Sequence, residues 1–237
     1  MAKLYKPLQH IFEAIPPRYD FINRLFTFGM DRRWRNRAVK ECLSPQVTNV
    51  LDLCCGTGDL AIGLTKMTKS KTSIIGLDYS SSMLEIAFRK TQNNKSINGP
   101  DFIQGNAAQL PFQDSSINCV GISFAFRNLT YKNLLAKPHL EEVLRVLSVG
   151  GKYVIVESSQ PKIKFIKWFC HLYLRYIVSW LGYLISGNLG AYRYLSESAI
   201  NFHTSDDVRT MLLSAGFTKV NYYPLFFGAA GIHVSYK

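Results

Sequence analysis

The chain is poor in acid and has no long uncharged apolar run. Aspartate and glutamate total 16 against 28 lysines and arginines, a formal charge of +12 over 237 residues. Such a balance points to an acidic partner: nucleic acid, an anionic membrane surface or a charged ligand. With no stretch of about 18 uncharged apolar residues, a spanning helix is not expected. The opening MAKLYKPLQHIFE has no apolar signal core, so export is not implied and a cytoplasmic location is expected. Cysteine is scarce: five residues, two of them adjacent (Cys54, Cys55), with neither CxxC spacing nor an even count. That excludes a disulfide frame and a zinc site, and leaves reduced thiols with no metal. What remains is 47% apolar and 19% charged, enough to fill the core of one domain and too apolar for disorder.

Short apolar or β-branched runs alternate with helical patterns, which predicts βαβ units and a mainly parallel sheet. Strands are expected at TNVLDL (48–53), TSIIGL (72–77), DFIQG (101–105), INCVGIS (117–123) and KYVIVES (152–158), with helices near 58–68, 80–94 and 133–147. Ser80 stands at an N-cap ahead of Met83, Leu84 and Ala87. Leu140, Val143, Leu144 and Leu147 recur at helical spacing, and Gly150-Gly151 is expected to stop that helix. Ser205 is expected to cap DDVRTMLLSAG, Gly216 to end it, and TKVNYYPL and AGIHVSYK to form two closing strands. Residues 1–45 and 161–200 fall outside this rhythm as a helical N-terminal cap and a helical insertion. Ligands of open α/β sheets bind beyond the carboxyl ends of the strands, so both additions are natural lids. The chain thus reads as a single domain: cap 1–45, cofactor-binding core 46–160, insertion 161–200, and a C-terminal helix with closing strands over 201–237.

The strongest local feature is VLDLCCGTGDLA (50–61), a strand running through a glycine turn into a helix. Gly56 and Gly58 permit backbone angles and a ligand approach that side chains would block, and the amides opening the helix favour a negative ligand group. Asp78, twenty residues beyond Gly58, ends the second strand, where a carboxylate can accept from both hydroxyls of a ribose. GTGDLA also satisfies the dinucleotide pattern GxGxxG/A, which makes a nicotinamide-dependent reductase a rival reading. Asp52, on the strand before the glycines, suits a ligand ammonium better than a pyrophosphate. Asn106-Ala107 close the third strand within GNAAQLPFQDSSINCV (105–120), and LEEVLRVLSVGGKYVIVE (140–157) supplies helix, glycine turn and fifth strand. Together these resemble the class I methyltransferase fold, a Rossmann-like, mostly parallel sheet with an antiparallel last strand, which binds S-adenosylmethionine. That resemblance gives Asp78 the ribose, Asn106-Ala107 the adenine, and Thr57 with the glycine turn the methionine part.

RYDFINRLFTFGMDRRWR (18–35), LDLCCGTGDL, SFAFRNLT (123–130), AYRYLSESAINFHTSDDVRTMLLSAGF (191–217) and GAAGIHVSYK (228–237) resemble the ubiquinone/menaquinone biosynthesis C-methyltransferase family, in one register from about residue 11 to the end. FRNLT and YRYLSES are far more specific than the glycine turn. The resemblance implies methylation of a ring carbon on a prenylated quinol, converting demethylmenaquinol to menaquinol or acting on a benzoquinol counterpart. It implies cofactor contacts at Thr57, Asp78, Asn106, Ala107 and Ser123, and places Tyr19, Arg127 and Asn128 near the reacting ring. ESSQP (157–161) departs from the usual Glu-Phe-Ser-Lys-Pro, the cysteine pair replaces small residues, and ISGNLG before Tyr192 lacks an expected acid. These departures bear on the pocket's shape.

The expected chemistry assigns stabilisation of a developing phenolate to Arg127, orientation of the oxygen to Asn128, and ring packing or proton relay to Tyr19. Arginine stays protonated, so proton removal would pass through water, with His203 and His233 as further candidates. Each histidine can equally be a hydrogen-bonded structural group. Cys54 and Cys55 read as apolar filler beside the cofactor. Tyr192, Arg193 and Tyr194 either wall the pocket or pack, with Arg193 paired to Glu197. In 162–186 a narrow stripe of Lys164, Lys167, His171 and Arg175 lies opposite a broad face of Phe165, Trp168, Phe169, Leu172, Tyr173, Tyr176, Ile177, Trp180, Leu181 and Leu184. Such a helix suits the inner, anionic face of a membrane; packing on the sheet or across a homodimer interface are the alternatives. A nucleic-acid methyltransferase is disfavoured because SFAFRNLT carries neither Asn/Asp-Pro-Pro-aromatic nor Pro-Cys, so no nucleic-acid partner is expected. A non-catalytic cofactor-binding subunit of a quinone-synthesis complex is the other alternative.

Overall fold

A computed structural model describes residues 19–68, 72–92, 99–186 and 189–237. Seven strands, β1 (Asn49–Leu53), β2 (Ser73–Asp78), β3 (Asp101–Gln104), β4 (Ile117–Ser123), β5 (Leu147–Ser158), β6 (Lys219–Leu225) and β7 (Ala230–Tyr236), form one sheet in the order β3-β2-β1-β4-β5-β7-β6. The β1–β2, β1–β4, β2–β3 and β4–β5 pairs are parallel, and β7 runs antiparallel to both its neighbours. The expected mostly parallel sheet with an antiparallel last strand is therefore present. The order reverses between β1 and β4, the crevice where such sheets bind ligands.

Helices α1 (Tyr19–Phe26) and α2 (Met30–Cys42) precede the sheet; α3 (Asp59–Met67), α4 (Ser81–Gln92), α5 (Phe126–Thr130) and α6 (Ala136–Val146) connect its strands. Inserted after β5 come α7 (Lys164–Leu172), a π-helical stretch (Tyr173–Val178), α8 (Ser179–Ser186) and α9 (Leu189–Ile200); α10 (Ser205–Ser214) leads to β6. Burial on both faces explains the continuous apolar strands. Leu51, Leu53, Val120, Ile122 and Ile155 pack with Leu140, Val143, Leu212 and Phe217 on one face. Val50, Cys119, Val154 and Ile232 pack with Val39, Leu60, Ala61 and Leu64 on the other.

Two expected termini shift. The helix of 133–147 ends at Val146 and Leu147 already starts β5, so Gly150-Gly151 lies inside the strand rather than ending the helix. The Lys237 ammonium donates to the carbonyls of Leu144 (2.6 Å) and Leu147 (2.7 Å), ending that helix from the far end of the chain. Thr204, not Ser205, caps α10: its hydroxyl accepts from the Asp207 amide, and the Asp207 carboxylate accepts from the Thr204 amide. Ser80 does cap α4, accepting from Met83 N–H at 3.4 Å, and Gly216, at φ +112°, follows the end of α10.

Candidate active site

A cavity of about 900 Å³ lies beyond the carboxyl ends of β1, β2, β4 and β5. Its polar end is built on the glycine turn. The Asp78 carboxylate accepts the Gly56 amide at 2.8 Å and the Ser80 amide at 2.9 Å, which fixes its orientation with cavity access left over. Burial pushes that carboxyl up despite these amides. Gly56, at φ +54°, has nothing within 4 Å of where a Cβ would stand, so its missing side chain leaves room against the backbone. Gly58, at φ +79°, serves packing instead: a Cβ there would meet the Phe102 ring at 2.8 Å and Ala87 at 2.9 Å.

Around this turn runs a network that links the cap to the core. Thr57 donates to Asp20 of α1 at 2.7 Å and accepts from Lys90 of α4 at 2.9 Å, while Lys90 pairs with Asp20 and with Asp59. Arg35 of α2 pairs with Asp59 (3.2 Å) and Asp31 (3.4 Å) and donates to the Ser123 hydroxyl (3.3 Å). Burial works against ionised Asp59, but Arg35 and Lys90 outweigh it and hold its carboxyl low. Asp20, Asp31, Asp59 and Asp78 line the cavity, and the cations paired with them are Arg35 and Lys90. In a chain carrying +12, this end has a carboxylate surplus and favours a cationic ligand.

Beyond β4, Arg127 is buried with Glu157: the guanidinium meets the carboxylate at 3.0 Å and donates to Ser158 Oγ at 2.6 Å, and the Arg127 amide donates to the other carboxylate oxygen at 3.0 Å. Arg127 Nε and Asn128 Oδ1 are both buried without a hydrogen-bond partner in the protein, and both residues line the cavity. An unpartnered donor and an unpartnered acceptor on consecutive residues of this wall match the needs of a ligand carrying a hydroxyl or phenolate oxygen. The remaining wall is apolar and aromatic: Phe26, Phe28, Phe169, Tyr173, Tyr176 and Ile177.

The structure gathers Gly56, Thr57, Asp78, Ser123, Arg127 and Asn128 of the expected residues around this cavity. Asp52 is not in its wall. It is 1% exposed, and strand alternation turns it with Val50 toward α2 and α3. There it accepts the Ala61 amide at 2.9 Å through one oxygen while the other has no partner. Burial pushes its carboxyl up to about 8. Gly105 N–H bonds to the Asp78 carbonyl, so Asn106 and Ala107 flank Asp78 without lining the cavity. His203 packs edge-on against Tyr131 and Phe202. His233 is buried against Tyr222, with a ring nitrogen 3.2 Å from the Ser205 carbonyl, and burial lowers it to about 4. Neither histidine reaches the cavity. Tyr19 opens α1, with its side chain outside the described residues. Burial raises the Cys54 and Cys55 thiols, as suits filler. Tyr192 is buried against Phe26, and Arg193 pairs with Glu197 at 3.0 Å on the surface.

Sequence reasoning missed Asp20, Lys90 and Asp59. Arg35 closes the stretch RYDFINRLFTFGMDRRWR, but nothing in its spacing announced that it would bridge two carboxylates and Ser123. Among the described residues no group of three or more His, Cys, Asp and Glu side chains could hold a metal.

The strand order, with a glycine turn held against the Asp78 carboxylate at the strand ends, defines a class: the class I SAM-dependent methyltransferase fold. A SAM-dependent methyltransferase from Aquifex aeolicus superposes with a TM-score of 0.62 at 17% identity, covering 92% of this chain and 96% of that one. A possible histamine N-methyltransferase from Thermotoga maritima gives a TM-score of 0.59 at 19% identity over 96% and 99%. At such identities the likeness speaks for fold alone. The chain belongs to the ubiE/COQ5 methyltransferase family, which it matches over residues 2–237. It is 40% identical to the demethylmenaquinone methyltransferase of Thermotoga maritima over 98% of this chain and 97% of that protein. It is likewise 40% identical to that of Thermus thermophilus over 94% and 98%. It is 35% identical to the ubiquinone/menaquinone biosynthesis C-methyltransferase UbiE of Blochmanniella floridana over 97% and 89%.

Proposed function

We propose that this chain transfers the methyl group of S-adenosylmethionine to a ring carbon of a prenylated naphthoquinol, converting demethylmenaquinol to menaquinol. One observation carries the reading: a single cavity joins a carboxylate-rich glycine turn to an aromatic wall, with Arg127 and Asn128, each holding one unpartnered polar atom, among its lining residues. The polar end fits the cofactor. Asp78 takes its ribose hydroxyls, Gly56 leaves room for its backbone approach, and the surplus of carboxylates suits its net positive charge. Thr57 and Ser123 line its methionine side, and Asn106 with Ala107, next to Asp78 but outside the cavity wall, flank the adenine side. When bound, the cofactor supplies an electrophilic methyl on a sulfonium.

The protein's own part is to make the ring carbon nucleophilic and hold it in line. Asn128 accepts from the quinol hydroxyl, and Arg127 Nε donates to the oxygen as its proton leaves, favouring phenolate over phenol. Glu157 holds the guanidinium rigidly and consumes part of its charge, so Arg127 acts as a fixed donor rather than a base. The proton leaves to water. Alignment of the two centres is worth up to about 7–11 kcal/mol of the barrier. An oxidised quinone has no hydroxyl to deprotonate, so the quinol is the substrate. The chain works as one unit, with the cap and insertion as lids over the core.

We further propose that the segment 164–186 rests on an anionic membrane, where the polyprenyl tail resides. No residue of Lys164–Leu172 is buried; Phe165, Trp168, Trp180 and Leu184 are exposed, and no described helix is long and apolar enough to cross a bilayer. His171 does not join the expected polar stripe: it turns inward, 2.9 Å from Gln160 Oε1. A benzoquinol substrate is the second reading, supported by the relative named for both quinones.

The test mixes purified protein, S-adenosylmethionine and demethylmenaquinol kept reduced, then weighs the extracted lipid. Gain of one methyl, absent with the oxidised quinone, supports the reading. No gain with either quinol while the cofactor still binds refutes it.

A further inference from the structure

Among the described residues seven other than glycine have left-handed backbones, and four of them are phenylalanines: Phe28 (φ 51°), Phe124 (57°), Phe226 (42°) and Phe227 (54°). Three of the four show their rings to solvent, Phe28 at 74%, Phe226 at 47% and Phe227 at 72% exposure. Holding a bulky side chain in that region is unfavourable, and it persists where function requires the direction it imposes. A structural turn of this kind would use glycine or asparagine, and a structural phenylalanine would be buried.

Two of the three rings are neighbours, and the third borders the same cavity. Phe226 and Phe227 form the turn between β6 and β7, with centroids 5.6 Å apart, and Phe226 is backed by Trp34 of α2 at 6.3 Å. Phe28 closes the α1–α2 corner and packs on Tyr173 of the insertion at 5.8 Å. Phe28 and Phe226 line the cavity together with Phe169, Tyr176 and Ile177. Gly228 lies against Pro161, where the insertion begins. The turn and the α1–α2 corner thus border the apolar end of the cavity beside the insertion.

We infer that the Phe226–Phe227 turn and Phe28 form a second bilayer-inserting surface, beside the 164–186 segment, and that the quinol enters the cavity from lipid at this rim. This rests on the membrane reading above and names a surface that reading did not include. Charge selects the occupant. Neither 161–186 nor 221–237 contains an acidic residue. Arg24, Arg32, Arg33, Lys164 and Arg175 are exposed and make no ion pair among the described residues. A cationic, aromatic face is complementary to anionic headgroups over an acyl layer, and it would repel a second copy of itself.

Phe227 is absent from the cavity wall, so Phe227→Ser separates surface from chemistry. The assay measures co-sedimentation with phosphatidylglycerol/phosphatidylcholine vesicles. It also measures methylation of long-chain demethylmenaquinol in those vesicles and of a single-isoprenyl analogue in solution. The expected result is about a tenfold loss of vesicle partitioning, the scale of withdrawing one aromatic side chain from lipid. Turnover in vesicles should fall in parallel, with turnover of the soluble analogue unchanged. Vesicle binding equal to that of the unmodified protein overturns the inference. So does an unmodified protein that stays off vesicles and forms a dimer dissociated by Phe227→Ser. If the unmodified protein binds vesicles through Phe227 but methylates neither quinol, the surface stands and the proposed reaction falls. If it methylates the analogue but ignores vesicles, the reverse holds.

Discussion

Replacing Asp52 with asparagine separates two accounts of the residue. A carboxylate gripping the cofactor's ammonium would lose charge-assisted bonding worth about 1.5–3 kcal/mol, and the dissociation constant for S-adenosylmethionine would rise more than tenfold. The structure instead shows a carboxyl behind the cavity wall, holding the Ala61 amide in the first turn of α3. Its pKa is pushed from 3.8 up to about 8 by burial, more than the amide and Arg35 can offset. In the unfolded chain the carboxyl ionises near 3.8 and in the fold only near 8, so between these values the native state binds more protons and stability falls as pH rises. At about 1.4 kcal/mol per pH unit the full effect approaches about 5–6 kcal/mol. Relaxation and water around the helix start bring the expected figure to about 2–3 kcal/mol. The asparagine variant cannot ionise at this position and should lose that part of the slope. Urea titrations of both proteins at about pH 5, 6.5 and 8 measure it, with cofactor affinity read in parallel. The expected outcome is a flatter pH profile for Asp52→Asn and an affinity within about threefold of the original. An unchanged slope together with a large loss of affinity would refute the placement.

Asp78→Asn should weaken S-adenosylmethionine binding at least tenfold by calorimetry, since the ribose loses a charged acceptor worth about 1.5–3 kcal/mol. Arg127→Met should lower kcat about 10²–10³-fold with little change in the cofactor's KM, the scale of removing one preorganised donor. Glu157→Gln should lower both kcat and melting temperature, because it leaves a buried guanidinium without its carboxylate. Arg145 bonds Glu142, Asp114 and the carbonyls of Leu110 and Phe112 at 2.7–3.0 Å, clamping the loop that follows Asn106-Ala107. Arg145→Met should raise the cofactor's KM several-fold with kcat retained, whereas a fall in kcat alone would contradict a positioning role. Gly58→Ala should destabilise by about 1–3 kcal/mol, from left-handed strain and the clash with Phe102; an unchanged melting temperature would contradict the packing account.

What the chain determines locally is legible in the sequence by itself. Apolar runs bounded by turn residues mark β1, β2 and β4 to within a residue, and their alternation with helical periods implies a parallel sheet. Gly56 ahead of a helix, with Asp78 at the next strand end, marks the polar end of the cavity because backbone angles and strand ends are set by neighbours in sequence. FRNLT places Arg127 and Asn128 for the same reason. Tertiary packing alone decides the rest. Asp52 sits one residue from Leu53 on a strand whose two faces are both buried, and only the helices laid on each face determine which side meets ligand. His233 is kept from the cavity by its contact with the Ser205 carbonyl across the chain's end. The helix ending at Val146 is capped by Lys237, and Thr57 meets Asp20 and Lys90 from elements 37 and 33 residues away. Such partners are chosen by topology and desolvation, which no window of sequence contains.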